Sequence, residues 1–222
     1  MKTTAMIVAA GSGSRFNSET PKQFLDLSGK PVLMHALERF QEAASIDSIV
    51  LVLAKDKLPS FDTAKSEKID AVVSGGPTRA ASVFNGLAAV SGDCEIIAVH
   101  DGARPLVSLD EIDRTIAAAK ETGAACLVAA VTDTIKSVSG REIAATLERN
   151  KLRRALTPQA FRVEVLRKAF ESIELTEAIT DECYLVEKLG HPIAIVEGSS
   201  RNIKITHPED LILAEALLRA DS

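Results

Sequence analysis

The chain has 222 residues, 46% of them hydrophobic and 26% charged, and a formal net charge of −5. That is enough apolar material for a single domain, residues 1–222, with a sizeable core. The acidic balance, with no basic run longer than Lys151-Leu152-Arg153-Arg154, argues against a nucleic-acid backbone as main partner. The longest apolar stretch, 124–131, is too short to span a bilayer.

The chain opens with one lysine and a brief apolar run, 5–9, that ends in a glycine turn. This is too short for a signal peptide and reads as a first strand, so a cytoplasmic protein is expected. Further strand-like runs follow at 48–53, 71–73, 96–99, 126–131 and 193–196. Helix-period segments separate most of them, at 32–44, 79–89, 109–122, 163–172 and 181–189. Pro31 suits a helix first turn, and Gly123 and Gly190 suit helix stops. Continuously apolar strands alternating with helices predict a Rossmann-like α/β fold, a mostly parallel sheet covered on both faces. Residues 132–156 break this rhythm. They are polar and alternating around Ser139-Gly140, and they read as a β-hairpin. Either it is a solvated surface hairpin, or it is an arm that pairs with another subunit. Cys94, Cys126 and Cys183 are scattered in apolar or helical surroundings and read as small buried hydrophobes.

Four places could carry chemistry. After the first strand, Gly11 and Gly13 open a loop that lacks both the third glycine of a dinucleotide fingerprint and the Gly-Lys-Ser/Thr of a Walker loop. What remains is a turn whose N–H groups can approach a phosphate, followed by Arg15 and the proline-braced Lys22. Taken alone, that is a weak signal. Gly75 and Gly76 lead through Thr78 into a helix, either as a polar cradle or as an ordinary cap. Asp101 closes an apolar strand, where α/β sheets bind their ligands, and is placed to hold a divalent cation beside phosphates. His100 beside it reads as a packed histidine. Finally, Thr180-Asp181-Glu182 could cap a helix, and Lys204 alternates with Ile203 and Ile205 as a strand lysine would. A lysine in such a setting points at an anion.

Together the stretches AAGSGSRF…PKQF (9–24), GGPTRAASV (75–83), HDGARP (100–105), TDTIK (132–136), RNKLRRALTPQAF (149–161), TDE (180–182) and NIKIT (202–206) resemble one family in its own order. It is the 2-C-methyl-D-erythritol 4-phosphate cytidylyltransferases of the non-mevalonate isoprenoid pathway. The resemblance runs from about residue 5 to about 217. It implies a Rossmann-like nucleotidyltransferase domain that exchanges the 132–156 arm in a homodimer. It further implies that CTP lies over Ala9, Ala10, Gly11 and Gly13, with its cytosine near Gly75, Gly76 and Ser82. Asp101 would hold Mg²⁺ against the triphosphate. Arg15, Lys22 and Lys204 would be catalytic. The acceptor, methylerythritol phosphate, would meet Arg104, Thr180 and Lys204, with Thr134 and Arg149 reaching in from the partner's arm.

Two positions depart from the family pattern. Pro77 stands where many members carry an acidic residue, and Gly102 replaces a commoner alanine, which is expected only to loosen its turn. The closest rival is a ribitol-5-phosphate cytidylyltransferase; Ala9-Ala10-Gly11 and Ala103 favour the methylerythritol enzyme. No fused cyclodiphosphate synthase is expected. A dinucleotide-binding oxidoreductase is disfavoured by the absent third glycine and by Leu53-Ala54-Lys55, which has no acidic residue at the second strand's end. An inert regulator on the same fold is disfavoured by the presence of Arg15, Lys22, Asp101 and Lys204.

Overall fold

The computed structural model describes residues 1–11, 16, 20–62, 66–173 and 179–220. Strand β1 (Lys2–Ala9) leads to two short strands, β2 (Asp26–Leu27) and β3 (Lys30–Pro31), and then to α1 (Val32–Glu42). Next come β4 (Ser48–Leu53), β5 (Ile69–Ser74), α2 (Arg79–Ala88), β6 (Cys94–Asp101), α3 (Leu109–Thr122) and β7 (Ala124–Ala130). The hairpin β8 (Lys136–Ser139) and β9 (Glu142–Thr146) precedes β10 (Arg153–Arg162), α4 (Val163–Ser172), α5 (Glu182–Lys188), β11 (Ala194–Glu197) and α6 (Pro208–Arg219).

Seven strands form one sheet in the order β11-β7-β10-β6-β1-β4-β5. Only β10 runs antiparallel to its neighbours, β6 and β7. From β1 the chain passes to β4 and β5 on one side, then α2 carries it across to β6 on the other. The sheet therefore reverses its winding beside β1, and a crevice opens at the strands' carboxyl ends there.

The period-2 alternation of the strands divides the core. Ile7, Leu51 and Ala98 face α1 and α3, against Leu37, Phe40, Ile112 and Ile116. Met6, Val50, Val52, Ile97 and Val99 face the opposite layer, with Val83, Leu87, Leu166, Phe170 and Leu185. Each fully buried Leu, Ile or Val contributes about 1.5–3 kcal/mol from removal of apolar surface, and this fixes the strand ends to which the loops are attached. α3 is delimited by chemistry the sequence carries. Ser108 and Glu111 form a reciprocal capping box at its start, and Gly123 ends it at φ 91°.

Three expectations need adjusting. The hairpin closes at Gly140 as expected, but residues from Arg153 on belong to β10 of the main sheet. Lys204 does not lie in a strand: its segment makes one backbone bond to the sheet's edge loop, Ile205 N–H to the Ala103 carbonyl, and forms no ladder. The alternation survives because Ile205 packs against Leu27 and Val32 while Lys204 points the other way. Helix α6 was not foreseen, since Ile212 and Leu213 are exposed while Ala214 is buried, which blurs the 3.6-residue pattern. No described helix is long and apolar enough to cross a membrane.

Candidate active site

A cavity of about 540 Å³ lies at the carboxyl ends of β1, β5 and β6. Its walls include Ala9, Ala10 and Gly11 after β1, Gly76, Ser82 and Arg79 around the start of α2, Asp101 at the end of β6, and Lys22 and Lys204. Residues from four distant stretches of sequence thus meet at one edge. Three lysine or arginine side chains and one carboxylate face the same space, an arrangement suited to a polyanion. Gly13 and Arg15 lie outside the described residues.

Each wall is held by identifiable bonds. Gln23, buried beneath the glycine turn, donates through Nε2 to the carbonyls of Ala9 at 2.7 Å and Gly11 at 2.9 Å. It fixes where the loop leaves β1, and it places Lys22 one residue earlier at the rim. On the opposite wall Thr78 caps α2, accepting from the Ala81 N–H, while Ser82 Oγ accepts from the Gly76 N–H at 3.1 Å. Gly75 sits where a side chain would run into the Ala10 methyl and come within 2.9 Å of Ser82 Oγ. The two walls are in contact there, and only glycine fits.

Gly102 is also closely surrounded. A Cβ there would come within 2.9 Å of both Ala9 and Leu33. Its N–H donates to the Val8 carbonyl, so the β1 and β6 loops are packed backbone to backbone.

Asp101 is 7% exposed and meets three cations. Arg79 Nε donates to its Oδ1 at 3.0 Å, Lys204 Nζ lies 2.8 Å from Oδ2, and Arg104 Nε lies 3.5 Å from Oδ2. Burial opposes ionisation of this carboxyl, but Arg79, Lys204 and Arg104 outweigh it and hold it well below the usual carboxylate range. Arg104 turns away from the cavity, donating from Nη1 to the Asn202 carbonyl at 2.8 Å. Asn202 in turn donates to the Thr157 carbonyl, which ties the lysine segment to β10.

His100 is fully buried and hydrogen-bonded, as expected of a packed histidine. The Arg104 carbonyl can only accept, so Nε2 carries the proton; Nδ1 then accepts from Thr157 Oγ1 at 3.0 Å. Thr157 Oγ1 also accepts from the Asp101 N–H. Asp181 caps α5 through the Tyr184 N–H, and Thr180 before it is exposed. Thr134 and Arg149 are exposed on the hairpin side and do not line this cavity; Arg149 donates to the Thr132 carbonyl within its own arm.

Sequence reading missed Gln23, Arg79, Thr157, Glu182 and Asn202 as parts of the site. All five lay inside the quoted motifs. Position at a strand's end, which drew attention to Asp101, applied equally to Arg79 at the first turn of the following helix.

A single carboxylate on a cavity lined by cations could hold Mg²⁺, which commonly takes one or two carboxylates and completes its shell with phosphate oxygens and water. Among the described residues no group of three or more His, Cys, Asp or Glu could hold a metal. Asp101 is the carboxylate of this cavity that could hold such an ion.

Comparison with known proteins agrees with this geometry. The family model described as 2-C-methyl-D-erythritol 4-phosphate cytidylyltransferase matches residues 3–220. A relative of that name from Pelotomaculum thermopropionicum is 43% identical over 227 residues, covering 99% of this chain and 95% of the relative. One from Alkaliphilus oremlandii is 40% identical over 225 residues, covering 98% and 95%. Among solved structures, the enzyme of that name from Thermus thermophilus superposes with a TM-score of 0.78 at 36% identity, covering 99% of this chain and 100% of that one. With sequence and fold matched end to end, the chain belongs to the 2-C-methyl-D-erythritol 4-phosphate cytidylyltransferase family.

Proposed function

We propose that this protein transfers the cytidylyl group of CTP to 2-C-methyl-D-erythritol 4-phosphate, giving the cytidine diphosphate conjugate and pyrophosphate. The observation that carries this reading is the cavity itself, where Asp101 is enclosed by Arg79, Arg104 and Lys204 and faces the glycine turn and Lys22 across a space open to a triphosphate. The relatives' names supply the two substrates.

An oxygen of the acceptor phosphate attacks the α-phosphorus of CTP. The bond from that phosphorus to the bridging oxygen of the β-phosphate breaks, and pyrophosphate leaves with the electron pair. The attacking phosphate is already ionised, so no general base is required. Two anions must be brought together and charge accumulates on the non-bridging oxygens, so catalysis rests on positioning and fixed positive charge. In our reading Lys22 and Arg15 meet the triphosphate, while Gly76 and Ser82 bound the base. Lys204, fixed by its bond to Asp101, serves both phosphates. Mg²⁺, when bound at Asp101, supplies Lewis-acid neutralisation of the phosphate oxygens. Thr180 lies on the acceptor side. Thr134 and Arg149 complete that side from the arm of a second copy, which makes the working unit a homodimer. With soluble, charged substrates throughout, we place the reaction in the cytoplasm.

Pyrophosphate release with CTP, Mg²⁺ and each polyol phosphate tests the assignment. Turnover with methylerythritol phosphate is expected. Turnover only with ribitol 5-phosphate, or with neither acceptor, refutes it.

A further inference from the structure

Glu182 is the first residue of α5, it is fully buried, and the described mechanism gives it no task. It stands 103 residues from its partner: Arg79 Nη1 donates to Glu182 Oε1 at 2.5 Å, while Arg79 Nε donates to Asp101 Oδ1. The other carboxylate oxygen, Oε2, is buried with no hydrogen-bond partner among the described residues. Burial pushes this carboxyl up, and the Arg79 guanidinium opposes that. A buried carboxylate so incompletely satisfied is costly to keep for stability alone, since buried ion pairs are often replaceable by apolar residues without loss.

The geometry shows what the pair can do. A guanidinium left to one carboxylate closes on it as a two-pronged fork. Here Nη1 and Nε lie on opposite flanks of the Arg79 guanidinium, and each flank is held by a different acid. Asp101 therefore receives one bond from Arg79 on Oδ1 and keeps Oδ2 for Lys204. We propose that Glu182 is a positioning residue for cytidylyl transfer: it holds one flank of Arg79, so that Asp101 keeps an oxygen for Lys204 and for the cavity. This rests on the functional reading above. The same contact braces the start of α2 on the nucleotide wall against the start of α5, two residues after Thr180.

Three variants test it, each assayed for kcat, for the KM of CTP and for thermal melting. Glu182→Gln keeps the shape and removes the charge. Its kcat is expected to fall about tenfold or more, as for small displacements of reacting groups, with the KM for CTP changed less than about threefold. Glu182→Asp keeps the charge on a shorter stem and is expected to recover part of the lost kcat. In the double variant R79M/E182L an apolar pair replaces the ion pair, so it is expected to melt no lower than wild type yet to remain slow. If a single variant fails to fold, the double variant still tests the proposal, since wild-type kcat without either member of the pair overturns it. Wild-type kcat in Glu182→Gln, no advantage of Glu182→Asp over Glu182→Gln, or wild-type kcat in the double variant overturns the proposal. Wild-type turnover with methylerythritol phosphate tests the functional reading separately. The variant-to-wild-type ratio, taken on whichever polyol phosphate the protein accepts, tests Glu182.

Discussion

Acid should destabilise this protein through His100 before Asp101 is protonated. The imidazole is fully buried, in contact with the Phe40 ring at a centroid distance of 4.8 Å. Burial lowers its pKa from 6.5 to about 4, although the Arg104 carbonyl and the Asp101 charge pull upward. The folded state therefore holds His100 neutral at a pH where the unfolded chain has already bound a proton. Between pH 6.5 and about 4 the unfolded state carries the extra proton, so stability falls as pH falls through that window. Those two values imply a loss of about 2 kcal/mol at pH 5 and about 3 kcal/mol once pH is well below 4. His35 adds to the same slope, because burial lowers it too. Urea unfolding at pH 7, 6 and 5, at one protein concentration, should thus be compared between wild type and His100→Gln. The glutamine keeps a donor for the Arg104 carbonyl and cannot titrate. Its stability at pH 7 is expected to be lower than wild type, but the gap should narrow by about 2 kcal/mol by pH 5. Parallel stability curves for the two proteins across this range would refute the reasoning. Because His100, Thr157 and the Asp101 N–H form one chain of bonds, His100 protonation is expected to disturb activity of the folded enzyme only as pH falls through about 4.

Other consequences can be checked at single residues. Gln23→Ala strips the donor from two carbonyls of the glycine turn. It should cost about 1–3 kcal/mol, seen as a lower urea midpoint together with a raised KM for CTP. Gly75→Ala forces a methyl against Ala10 and Ser82, and overpacking of that kind costs about 1–3 kcal/mol. Its melting temperature should drop, and CTP should bind more weakly because both walls shift. Arg149→Ala is expected to leave stability unchanged, since the side chain is exposed, while raising the acceptor's KM. Unaltered acceptor kinetics would remove the arm from the site.

What could be read from the sequence follows from how this fold makes a site. A parallel sheet brings all its carboxyl ends to one edge, so a glycine turn after β1, an aspartate ending β6 and a glycine pair after β5 converge once the strands are recognised. Apolar runs such as 48–53 announce those strands. Lys204 was found by the same alternation even though its segment is not a strand, because Ile205 still had to be buried. The layer behind the cavity sat inside the same motifs, but its pairings left no such trace. Gln23, Asn202 and Glu182 act through bonds to partners 12 to 103 residues away, and no period in the sequence relates the two ends of such a bond. The surroundings of Gly102 were hidden for the same reason: Ala9 and Leu33, brought alongside by the sheet, are what an added methyl there would have to displace. Charges that meet a ligand sit at loop positions the topology makes predictable, whereas the groups that aim those charges are set by packing between elements. In this cavity the lysines and Asp101 belong to the first kind and Glu182 to the second. A family motif can therefore show Glu182 in Thr180-Asp181-Glu182 while its bond to Arg79, which meets Asp101, is visible only in the packed structure.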